Sequence, residues 1–137
     1  MSYTKVGSIP HVEYLTPGVD DILVISPDAS YKDAPERSLA TVVFQQNYAR
    51  TLGKKIGLVV VMNNLLSQDA ESRKIYSEGT LAELFYGVAI VVGNPMARAI
   101  GIFTLRLTKV AVPTKLVETV EDGIAWLETL PGRDRPG

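Results

Sequence analysis

Two stretches of the chain, IGLVVVM at 56–62 and VAIVV at 88–92, run without a single polar side chain. An aliphatic, β-branched run with no alternation belongs to a strand buried on both faces, in the middle of a sheet covered by helices. Around them the period changes. In DAPERSLATVVFQQNYARTLGKK, the positions Leu39, Val42, Val43, Gln46, Ala49 and Leu52 recur at helical spacing and predict one buried face. Asp33 is the expected N-cap, Pro35 suits the first turn, and Glu36 three residues after the cap completes a capping box. Gly53 is the expected left-handed stop. A shorter helix is predicted from Gln68 to about Ser77, ended by Gly79. A third opens with Asn94 as cap and Pro95 at its first position, with Met96, Ala99, Ile100 and Phe103 as its apolar face. A fourth follows Thr119 and buries Val120, Ile124 and Leu127, with Trp126 at the margin.

Ahead of these, HVEYLTPGVDDILVISP reads as a β-hairpin: Val12 to Leu15, a turn at Pro17-Gly18, then Ile22 to Ile25. VPTKLV is a last strand, and TLAELFYG is either one more helical turn or an irregular connection. The order is β-β-α-β-α-β-α-β-α, which implies an α/β domain with a mostly parallel central sheet and helices packed on it. Residues 1–10 are expected to form an N-terminal arm, 11–130 the domain, and 131–137 a disordered tail.

Composition narrows the function classes. The formal net charge of −1 suggests neither nucleic acid nor an anionic membrane. The absence of cysteine excludes disulfides, thiolate metal sites and cysteine nucleophiles. No apolar run approaches the roughly 20 residues of a membrane span, and MSYTKVGSIPH lacks the apolar core of a signal peptide, so a cytoplasmic protein is expected. There is no G-x-S-x-G, no H-E-x-x-H, no P-loop and no G-x-G-x-x-G, and His11 is the lone histidine. The expectation is a protein that is not an enzyme and holds neither a cofactor nor a metal.

The junction NNLLSQDAESRK is the first candidate site. Ser67 can cap the helix that follows, with Asp69 and Glu71 complementing its positive end. The alternative is a docking or modification surface. The second candidate joins Asn63, Asn64, Asn94 and Arg98, because ligands of open α/β sheets bind outside the carboxyl ends of the strands. Free N–H groups at a helix start beside a guanidinium would suit a small anion or a lipid headgroup. Against this, asparagines are ordinary turn formers and caps.

The chain also resembles a family. The hairpin, the long helix and VVVMNNLLSQDAES are similar to the STAS domain, the fold of anti-sigma-factor antagonists. AIVVGNPMARAIGIFTL followed by VPTKLVETVEDGIAWL resembles the SpoIIAA-like (STAS/SEC14-type) bacterial proteins. The resemblance spans roughly residues 11 to 130. It implies a single STAS-like (SpoIIAA-like) domain acting as a regulatory protein-binding module, with a surface at Ser67, Asp69, Ala70, Glu71 and Ser72. The family's phosphoacceptor position falls on Ala70, so the usual phosphoserine is missing. The resemblance also allows LAELFY to roof a lipid-sized cavity, whereas the residues themselves favour Leu81, Leu84 and Phe85 plugging the core. A homodimer joined through the hairpin edge or through LAELFY is a third expectation.

Overall fold

In the computed structural model the described residues are 2–19, 21–28, 34–63, 70–107 and 110–133. Six strands form one sheet in chain order: β1 Thr4–Ile9, β2 Val12–Thr16, β3 Ile22–Pro27, β4 Ile56–Val61, β5 Phe85–Val91 and β6 Thr114–Val117. The first two pairings are antiparallel and the remaining three parallel. The four helices are α1 Pro35–Leu52, α2 Ala70–Gly79, α3 Pro95–Leu107 and α4 Val120–Glu128. A parallel neighbour requires a crossover, and crossovers are right-handed. Three such steps taken in one direction, β3 to β4 to β5 to β6, therefore put α1, α2 and α3 on the same face. Only α4, after the last strand, reaches the other face. The mixed α/β sheet with its hairpin agrees with the expectation from periodicity.

Each face of the sheet carries its own core. Under α1 and α3 lie Tyr14, Leu23, Leu58, Val88 and Val92, with Ala49 and Ala97 from the helices. Under α4 lie Ile22, Val24, Val59, Tyr86, Ala89 and Val91, with Ile124 and Leu127. The alternation within β4 and β5 sends successive aliphatics to opposite cores, which is why those runs need no polar position.

Several local expectations are corrected. The N-terminal arm is a strand: β1 pairs with β2 through a tight turn at Pro10-His11. His11 there takes φ 69°, and its Nδ1 lies 2.9 Å from an Asp28 carboxylate oxygen. The N-cap of α1 is Ala34, without a side-chain cap bond, and Pro35 follows it; Asp33 lies outside the described residues. Gly53 does end α1 in the left-handed region, and Thr119 caps α4 by accepting from the Asp122 N–H. TLAELFYG is a connection, turning at 82–84 before Phe85 enters β5. Phe85 and Tyr86 are core residues, so this piece roofs nothing. The tail is held as far as Arg133, whose guanidinium makes two hydrogen bonds to Asp21 at 2.6 and 2.9 Å.

The largest correction concerns α1. Its buried residues are Ser38, Thr41, Val42, Gln45 and Ala49, whereas Leu39 and Val43 are 55% and 47% exposed. The helix is turned so that a polar row at i, i+3 and i+7 faces inward. The third helix is turned likewise: Ala97 and Gly101 are buried, and Met96, Ala99 and Phe103 face outward.

Candidate functional site

The polar row of α1 faces a cavity of about 110 Å³ between the sheet and the three helices on that face. Its floor follows from strand register. Ile25, Val60 and Ile90 stand side by side across β3, β4 and β5, and Leu58, Val88 and Thr114 form the next row. The walls are Thr41 and Gln45 of α1, Arg73, Tyr76 and Ser77 of α2, Thr80 just after it, and Thr104 and Leu105 of α3. Pro27, Val61 and Met62 extend the lining to the carboxyl ends of β3 and β4. That is where ligands of open α/β sheets lie. An apolar cavity of roughly 150 Å³ is enough to admit benzene.

Most polar groups around this space are committed to the protein. The Thr41 hydroxyl and the Tyr14 phenol are hydrogen-bonded at 2.9 Å, and Tyr14 stacks on Phe44 with ring centroids 4.0 Å apart. Burial raises the Tyr14 pKa, more than the bond to Thr41 lowers it, so the phenol stays protonated. The hydroxyls of Thr80, Ser77 and Thr114 donate to the carbonyls of Tyr76, Lys74 and Val112. The Arg73 guanidinium lies over the Phe103 ring, 5.6 Å from its centroid, and joins α2 to α3.

Gln45 differs. It is 3% exposed, lines the cavity, and its side-chain amide has no hydrogen-bond partner among the described residues. A buried amide without a partner costs about 1–3 kcal/mol. Sequence reasoning missed it because apolar residues lie on both sides of α1, and hydrophobicity favoured the side with Leu39 and Val43. The available signal was the spacing of Ser38, Thr41 and Gln45, a polar row of one helical period.

The rim residues are brought together, but as a clasp. The Asn63 side chain accepts from the Gly93 N–H at 2.6 Å, and the Asn94 side-chain amide donates to the Asn63 carbonyl at 3.0 Å. The Asn94 Oδ1 in turn accepts from the Ala97 N–H at 2.8 Å and caps α3. These bonds tie the end of β4 to the start of α3. Arg98 is exposed on the first turn of α3, and Asn64 lies outside the described residues. Of the junction residues, Ser67 and Asp69 also lie outside them. Ala70 and Glu71 are exposed at the start of α2, but Ser72 is fully buried and its side chain offers nothing to a surface.

A second cluster, also unseen in the sequence, sits at the opposite end of the sheet. Asp21 and Arg133 form a buried pair, with side chains 6% and 16% exposed, and the Tyr86 hydroxyl donates to Asp21 at 3.3 Å. Burial pushes the Asp21 pKa up, but the Arg133 hydrogen bonds and charge outweigh it and hold the carboxyl below its ordinary value. Burial and the Asp21 charge push the Tyr86 phenol well above its usual range. With its oxygens occupied by Arg133 and Tyr86, Asp21 is an anchor for the C-terminal segment.

The family model for a domain of unknown function (DUF7793) matches residues 20–131, from the start of β3 to just beyond α4. The chain belongs to that family. The match takes in every wall of the cavity and all of its floor except Val12, and it leaves β1 and β2 outside. No curated protein matches the chain. Among the described residues no three His, Asp or Glu side chains gather as a metal site, and no helix is long and apolar enough to cross a membrane.

Proposed function

We propose that this is a STAS-like binding domain that holds a small, mostly apolar molecule between its sheet and α1, α2 and α3, and that it performs no chemistry on it. The cavity carries this reading. It is lined by aliphatic side chains from four strands, lies toward the strand carboxyl ends, and is large enough for a ligand of a few heavy atoms. The anionic or lipid-headgroup ligand expected at the Asn63–Asn94 rim gives way to this interior site, because those amides bond to the backbone. Native and denatured mass spectra of the protein isolated from its own cells test the proposal. A small adduct lost on denaturation supports it; a chain bare under both conditions, however gently desolvated, counts against it.

A regulatory, protein-binding role is a second reading, supported by α3 rather than by the start of α2. Met96, Ile102 and Phe103 are exposed on a helix that carries Arg98 and Arg106 and no acidic residue. Such a face fits a partner protein with carboxylates around an apolar centre. Its binding would weaken with salt and be lost in Arg98→Glu/Phe103→Ser, with the melting temperature unchanged. Partner binding insensitive to both would exclude α3 as the docking face.

A further inference from the structure

We infer that Gln45 is the recognition group of the cavity, and that the ligand is a small uncharged molecule bearing a lactam or a carboxamide on an apolar body. This rests on the ligand-binding reading above. A glutamine amide offers two N–H donors and a carbonyl acceptor in one plane. The Gln45 side chain is buried and lines the cavity, whereas the hydroxyls of Thr41, Ser77, Thr80 and Thr114 are already bonded to protein atoms. A ligand that both donates and accepts in one plane, as a cis amide does, satisfies Gln45 with two parallel N–H···O bonds. A ketone of the same size satisfies only the donors. A carboxylate would be stripped of water beside a neutral amide, while Arg73 is turned to the Phe103 ring.

The choice of glutamine is itself informative. Methionine has nearly the same shape and would fill the position at no polar cost. A polar side chain left unpaired in a core is characteristic of binding sites that trade stability for recognition. One turn earlier on the same face, Thr41 is hydrogen-bonded to Tyr14, which in turn is stacked on Phe44, so the wall that carries Gln45 is tied to β2.

The test is a titration of the full chain, followed by amide and methyl NMR, with 2-piperidone, cyclohexanone and pentanoate. The first two are six-membered rings of equal heavy-atom count, and only the lactam donates. The wild type is expected to bind 2-piperidone about tenfold more tightly than cyclohexanone, from one additional well-made hydrogen bond, and to bind pentanoate least. Gln45→Met is expected to lose that preference and to melt higher than the wild type without ligand. If Gln45→Met does not fold, Gln45→Leu gives the same comparison. Equal binding of the two rings by the wild type, a preference for pentanoate, or a lactam preference that survives in the variant overturns the assignment while leaving the cavity reading intact. If none of the three probes moves resonances of cavity residues, the cavity reading falls and the assignment with it.

Discussion

The two faces of the sheet are built from the same strands, and the cavity lies on the one covered by α1, α2 and α3. Val59 and Val60 are neighbours in β4: Val59 lies in the tight core beneath α4, and Val60 forms the cavity floor. On the α4 face the backbone is brought close by small residues. A Cβ on Gly123 would lie 3.0 Å from the Ala89 side chain, and one on Gly87 would run into Leu130. Leu127 is wholly buried there, and Asp21, Tyr86 and Arg133 tie down the chain that follows α4. On the other face three helices span the sheet, one presents a polar row inward, and another leaves Phe103 and Met96 outside. Protein interiors are close-packed, with few voids larger than a water molecule. Both faces carry a buried core, and one of them also encloses the cavity to which the proposed ligand is assigned.

This contrast can be broken by substitution. The largest effect is expected for Leu127→Ala, which opens the tight core and should cost about 4 kcal/mol in chemical denaturation. Arg133→Ala should cost about 3 kcal/mol, because it leaves a buried carboxylate without its countercharge. It should also change the pH profile. The Asp21 carboxyl is held below its unfolded value, so its contribution is fully present above the unfolded pKa, roughly 3.9, and is lost as pH falls through the lower folded value. The wild type should therefore lose stability steeply below pH 4, and the variant less steeply, as read from melting temperatures across that range. The smallest and most diagnostic change adds one methylene on either side of β4. Val59→Leu should cost about 1–3 kcal/mol through overpacking. Val60→Leu should stay within about 0.5 kcal/mol. Equal costs for the pair would mean that the faces do not differ.

The architecture was legible in the sequence because it depends on period and punctuation. The unbroken aliphatic runs placed β4 and β5 in the sheet centre, and Gly53, Asn94 and Thr119 marked helix ends that the structure keeps. Orientation was not legible. Both α1 and α3 carry apolar residues on more than one side, so hydrophobicity buried Val42 and Ala49 correctly but misplaced Leu39, Val43, Met96 and Phe103. The same error hid Gln45 and exposed Phe103. Strand β1 was missed because Gly7 and alternating small polar residues give TKVGSI little β signal, and its pairing with β2 is a tertiary fact. The Asp21–Arg133 pair joins residues 112 apart in the chain, a separation that no local pattern can report. Asn63 and Asn94 were correctly brought to one rim, but their role there is structural, since the backbone groups at the end of β4 and the start of α3 needed partners.

The central claim is that the cavity between the sheet and α1, α2 and α3 admits a small apolar guest, and methyl NMR under xenon pressure tests it most directly. The account predicts saturable shifts for the methyls of Leu58, Val60, Val88 and Ile90, with those of Val59, Ile124 and Leu127 unmoved. Shifts of equal size on both faces, or none on either, would contradict it.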